Sequence, residues 1–141
     1  MTNNLKKLKQ VLAKEGLRFT CQREEVWKEI LSSGEHRDAD EIYHSLREKG
    51  ISVSRATVYR TIDVLVKYNM VRKLDVGVGP SKFEHKIDIS HHDHIICMKC
   101  GKIEEFVVNQ IENLQERVAE QYSFKLVRHI HQLFGICKDC Q

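Results

Sequence analysis

Two C-x-x-C pairs, Cys97 with Cys100 and Cys137 with Cys140, constrain this chain more than any other feature. Four thiolates are the number that zinc takes in a closed tetrahedral site, which has no open position for water and therefore a structural role coupled to folding. Each pair is expected beside a strand end, so that two knuckles clamp a sheet edge to the C-terminal residues. Redox dithiols and unrelated buried cysteines are the rival readings, and in a reducing compartment paired C-x-x-C units favour metal. The fifth cysteine, Cys21, stands alone at a helix start and reads as a small buried or half-buried residue rather than a ligand.

Such a clamp matters because the chain is short. Its 141 residues leave room for one domain or two small ones, and a half of that size buries too little apolar surface to be very stable without metal or oligomerisation. No apolar run approaches the roughly 18 residues needed to cross a bilayer. The start, MTNNLKKLKQ, lacks the apolar core of a signal peptide. The expected location is the cytoplasm, with no membrane partner.

Apolar spacing divides the chain near Lys86 to Ser90, giving expected domains 1–86 and 87–141. Leu5, Leu8, Val11 and Leu12 share one face of a first helix that Gly16 ends. Thr20 caps a second with Val26, Trp27, Ile30 and Leu31. Asp38 or Asp40 opens a third with Ile42, Tyr43 and Leu46. Ser52 or Ser54 caps a fourth that runs through Val58, Ile62 and Leu65 to about Asn69. A hairpin follows, Val71 to Val76 and Lys82 to His85, around the turn GVGPS. Helices followed by such a hairpin are the order of a winged helix-turn-helix. Beyond it, His91 to Met98 and Lys102 to Val107 read as strands joined by the first C-x-x-C-G turn. Ile111, Leu114, Val118 and Tyr122 then mark a helix, and a last strand is expected from about Phe124 to Ile136. The fold class is α+β: an N-terminal winged helix-turn-helix, then a small α/β domain.

Charge follows the same division. Residues 1–86 carry 17 Lys/Arg against 12 Asp/Glu, and residues 87–141 carry 6 against 8, which suits a front half that meets a polyanion. The fourth helix begins SRATVYRTIDVL, and its face opposite Val58, Ile62 and Leu65 offers Arg55, Thr57, Tyr59 and Arg60. In a helix-turn-helix such residues reach base edges in the major groove, where arginine reads guanine by a two-pronged hydrogen bond. Tyr59 and Arg60 are the expected base readers, with Arg18 and Arg23 at the DNA backbone or an adjacent minor groove. For an isolated helix a solvated face would be the better explanation; between two amphipathic helices and a hairpin, double-stranded DNA is.

The segment His91-His92-Asp93-His94 adds a second kind of metal chemistry. On a strand, alternation sends His91 and Asp93 to one face and His92 and His94 to the other, so one short segment serves two sites. Glu105, Glu112, His129 and His131 supply further nitrogen and oxygen donors. Such sets suit Fe(II), Mn(II) or Zn(II).

Taken in order, SRATVYRTIDVL, HHDHIICMKCGKIEEF, the His129 strand and the closing GICKDC resemble the ferric uptake regulator superfamily over nearly the whole chain. The resemblance implies a homodimer on a palindromic operator, with pairing of dimers into tetramers left open. It implies a regulatory site of His36, Glu84, His92, His94 and Glu105, and a second site of His91, Asp93, Glu112 and His129. It assigns structural zinc to the four paired cysteines and DNA contacts to Arg18, Tyr59 and Arg60. The stretch from Glu84 to His91 is one residue longer than the commonest family spacing, so His85 stands as an alternative to Glu84. Glu105, where peroxide sensors typically carry Asp, favours an Fe(II)-responsive repressor, with Mn(II) or Zn(II) as substitutes and peroxide, zinc or manganese sensing as alternatives. No catalytic residue is expected. A metal-dependent hydrolase built on the HHDH segment is the remote rival, since no signature marks its general base and the basic winged helix would go unexplained. A zinc-stabilised protein adaptor is the other, and the outward Arg55, Tyr59 and Arg60 argue against it.

Overall fold

The computed structural model describes residues 2–77, 79–86 and 91–141. The chain forms two compact units, 1–89 and 90–141. Val78, the second residue of the GVGPS turn, and the expected boundary near Lys86 to Ser90 touch positions outside the described residues.

The first unit contains helices α1 (Asn3–Lys14), α2 (Cys21–Ser32), α3 (Ala39–Glu48) and α4 (Arg55–Lys67), then strands β1 (Val71–Leu74) and β2 (Lys82–His85). Local chemistry sets the helix starts. The Thr20 and Ser54 side chains accept from the backbone N–H groups of Arg23 and Thr57, satisfying donors that the first turn leaves free. Of the two candidates for α3, Asp38 is the cap: it accepts from Glu41 N–H while Glu41 accepts from Asp38 N–H, a reciprocal capping box. Helix α4 stops at Lys67, two residues before the expected Asn69, which has φ +62° and cannot continue the helix. The helices close over Leu8, Leu12, Trp27, Ile42, Leu46, Ile62 and Leu65, all essentially buried. Each such side chain contributes about 1.5–3 kcal/mol through burial. Strands β1 and β2 pair antiparallel with Arg72 opposite Glu84.

The second unit contains β3 (Asp93–Cys97), β4 (Ile103–Phe106), helix α5 (Asn109–Gln121), β5 (Gln132–Gly135) and a 3-10 turn at Lys138–Cys140. Its sheet has the order β4-β3-β5, with β4 antiparallel and β5 parallel to the central strand. Parallel neighbours need a crossover, which α5 supplies. Strand β5 is much shorter than the strand expected from Phe124: β3 begins at Asp93 and His94 pairs with Gln132, so the parallel ladder runs out of partner there. His129 and His131 therefore precede the strand rather than lie on it. His91 and His92 likewise precede β3.

The two units differ in how they bury apolar surface. Among the described residues, Ile96 and Cys97 are the buried hydrophobic side chains of the second unit, and α5 buries none. Leu114 and Val118 on α5 and Tyr122 at its C-terminal cap, spaced by four, are exposed, as are Phe124, Ile130 and Val127, the last at 89 %.

Candidate metal centres and DNA-reading face

The cysteine cluster follows from sheet register. Parallel pairing sets Cys97 beside Gly135, so the residues after β5 meet the turn after β3. Gly101, at φ +75°, lets that turn fold back so that its N–H donates to Cys97 O at 2.9 Å. Met98 N–H donates to Gly135 O at 2.8 Å, tying both knuckles together. The ligand atoms of Cys97, Cys100, Cys137 and Cys140 lie within 4.8 Å of one another. A tetrahedron's edge is about 1.63 times its bond, so zinc–sulfur bonds of about 2.3 Å require sulfurs about 3.8 Å apart. Cys100 Sγ and Cys137 Sγ are 3.8 Å apart. Backbone hydrogen bonds from Cys100 and Cys137 bring the Cys97 thiol down to about 6, whereas hydrogen bonds to Cys137 and then Cys100 keep the proton on Cys140 and push it up. A cation is what would let all four be thiolates together.

The second cluster joins His91, Asp93, Glu112 and His129. His91 Nε2 is 3.3 Å from both Asp93 Oδ1 and Glu112 Oε1, and His129 Nε2 is 3.4 Å from the same two oxygens. Nitrogen and oxygen ligands at about 2.0–2.1 Å from a tetrahedral ion would be separated by about 3.3–3.4 Å. Asp93 Oδ2, Glu112 Oε1 and His129 Nε2 are buried and, among the described residues, have no hydrogen-bond partner, a costly arrangement for a site without an ion. The donor set and its spacing fit a divalent cation.

The remaining donors fall into one group in each unit. In the second, His94 stands opposite Glu105 in the β3–β4 ladder, and His92 Nε2 is 3.3 Å from Glu105 Oε1. The His92 and His94 rings meet edge-on at 4.8 Å. The alternation read from the sequence thus sorts His92 and His94 from His91 and Asp93. In the first unit, His36 Nε2 lies 2.7 Å from Glu84 Oε2, with Arg72 Nη1 3.5 Å from the other oxygen. It is Glu84, not the neighbouring His85, that meets His36, because alternation along β2 turns the two to opposite faces.

On α4, Tyr59 and Arg60 are exposed while Val58 and Thr61 are buried. Burial and then the Asp40 carboxylate, which accepts its hydrogen bond, push the Tyr59 hydroxyl up, so it remains a phenol. Arg55 is already engaged: it pairs with Asp40 and lies 4.6 Å over the Tyr43 ring. The Thr57 hydroxyl accepts from Ser54 at 3.0 Å. Arg18 is exposed, and Arg23 folds back to donate to Arg18 O at 2.5 Å. Cys21 is exposed rather than buried or half-buried, because it occupies the first, outward position of α2.

The ferric uptake regulator family model matches residues 14–134. The chain belongs to the ferric uptake regulator family. It is 40% identical over 137 residues to the ferric uptake regulation protein of Helicobacter pylori strain 26695, covering 97% of this chain and 91% of that one. It is 35% identical over 130 residues to the peroxide-responsive repressor PerR of Staphylococcus epidermidis, covering 92% and 85%. The solved Helicobacter pylori regulator, described as having three functional metal binding sites, superposes with a TM-score of 0.87 at 40% identity, covering 96% of this chain and 90% of that one. Ferric uptake regulator membership accounts for the order of the two units.

The sequence reading missed Glu29. This acid is 5 % exposed on the inner face of α2, where it receives Arg37, Ser45 and Lys49. The available signal was a carboxylate set between Trp27 and Ile30 on an apolar stripe.

Proposed function

We propose that the chain is an iron-responsive, DNA-binding transcriptional repressor that acts as a homodimer on palindromic operators. The observation that carries this reading is the partition of donors: His36 and Glu84 in the unit with the exposed recognition helix, and His92, His94 and Glu105 in the other. These five are the ligands assigned to one regulatory ion. When bound, a ferrous ion supplies the charge that lets three imidazoles and two carboxylates share a centre. Ligation by side chains of both units favours one relative orientation, and the population shifts only by the preference for that state. In a two-fold dimer that orientation sets the spacing of two α4 helices against operator half-sites. Tyr59 and Arg60 then read base edges, with Arg55 and Thr57 on the same helix face, while Arg18 and Arg23 serve the DNA backbone or an adjacent minor groove. Bound near a promoter, the dimer blocks transcription.

The four paired cysteines are assigned to structural zinc, and His91, Asp93, Glu112 and His129 to a second cation. The second copy is supported by the bare apolar face of α5 and by the exposed apolar side chains of Phe124, Val127 and Ile130 just before β5. Glu105 favours iron over the peroxide-sensing alternative. No described helix is long and apolar enough to cross a membrane.

The test is anaerobic titration of Fe(II) into zinc-loaded protein with operator DNA. Metal-dependent binding that His92→Ala weakens, with the fold intact, supports the reading. Turnover of a phosphodiester or peptide that depends on the HHDH residues would replace it with a hydrolase.

A further inference from the structure

His36 lies on an irregular segment between α2 and α3, outside any regular element. A ligand on a loop is held only as well as its neighbours hold it. Here the neighbour is Arg37. Its backbone pairs with Phe83 in both directions, donating to Phe83 O at 3.4 Å and accepting from Phe83 N–H at 2.7 Å. That antiparallel bridge places His36 opposite Glu84. The Arg37 side chain secures the same residue from the other side. Nη1 donates to Glu29 Oε1 and Nη2 to Glu29 O, both at 2.8 Å, so one planar fork grips a carboxylate and the end of α2 together. Glu29 is itself fixed: Ser45 Oγ donates to Oε1 at 2.6 Å, and Lys49 pairs with Oε2.

We propose that Arg37 and Glu29 are positioning residues for the first unit's half of the regulatory metal site, holding His36 against Glu84 and tying that pair to helices α2 and α3. The inference rests on reading His36 as a ligand. A salt bridge that served helix packing alone would need no bridge to β2 next to the His36 imidazole. The same arginine makes both sets of contacts, one with its main chain and one with its fork.

The test is a calorimetric titration of Mn(II), without DNA, into zinc-loaded full-length protein carrying His36→Ala, Arg37→Lys, or both, with apo thermal midpoints recorded beside it. Lysine keeps the charge toward Glu29 but cannot grip carboxylate and carbonyl together. Arg37→Lys should weaken by about 10-fold the same binding event that His36→Ala weakens, as loss of a group that orients a ligand does. Its apo midpoint should fall as well, since the fork's two hydrogen bonds to Glu29 are lost, so the weakened Mn(II) binding is what separates positioning from packing. The double variant should bind no worse than His36→Ala alone. Additive losses, or a lowered midpoint with unchanged Mn(II) affinity, would overturn the proposal and leave the network a packing device. If Arg37→Lys does not fold, Ser45→Ala, which removes one hydrogen bond to Glu29, should show a smaller shift of the same kind; no shift would count against it. Should His36→Ala change no binding event, the ligand reading itself fails, and the positioning claim with it.

Discussion

Glu29 shows how one residue is decided by competing terms. Burial opposes its ionisation, but Arg37, Lys49 and Ser45 overcome that cost and hold the carboxyl at about 2, against an ordinary 4.5. Its folded pKa is depressed, so the stabilisation is present above about pH 4.5 and is lost as pH falls toward 2. Allowing for screening around the half-exposed Lys49, the contribution is on the order of 2 kcal/mol. Glu29→Gln should lower stability at pH 7 by about that amount and flatten the stability curve between pH 4.5 and 2. Denaturant unfolding across that range checks it, and an unchanged acid limb would contradict it. On α4, exposed Arg60 is the residue whose loss should be read in DNA sequence preference. Arg60→Ala should cost about 1–3 kcal/mol at one base position if its contact is two-pronged. Competition with single-position operator variants measures it; a uniform loss over all sequences would assign Arg60 to phosphate instead.

At the level of elements, helices were legible because each carried its own evidence. The cap at Thr20 and an apolar stripe on every helix of the first unit determine those elements locally, while of the two serines offered for α4 the cap is Ser54. The choice between Asp38 and Asp40 was not local: it needed Glu41 to fold back on Asp38 N–H. Strand β5 was overestimated because residues 124–131 have strand character, yet among the described residues the parallel ladder with β3 begins only at Gln132 opposite His94. The sorting of His91 and Asp93 from His92 and His94 was visible in the alternation, whereas the contact between His36 and Glu84 depends on a two-residue bridge that no periodicity signals. Glu29 escaped because its partners are distributed over two other segments. The cysteine knuckles were legible because spacing alone specifies them. The second unit buries so few apolar side chains that metal should dominate its stability. Cys97→Ser should abolish tight zinc retention and damage folding or dimerisation, checked by metal content and sedimentation. A zinc-free dimer of normal stability would refute that assignment.

For the whole molecule, the basic excess of residues 1–86 suits the proposed role of that half at DNA. Operator affinity should fall steeply with salt, as counterions released by phosphate contacts require; a flat response would remove the backbone role of Arg18 and Arg23. The central claim is that His36 and Glu84, together with His92, His94 and Glu105, make DNA binding conditional on one ion. It is tested most directly by operator affinity of zinc-loaded protein, measured anaerobically with and without Fe(II), for the parent chain and for His36→Ala. Strong binding by the parent only with Fe(II), and weak binding by His36→Ala at the same Fe(II) concentration, is the expected result. Equal operator affinity with and without the ion would contradict it.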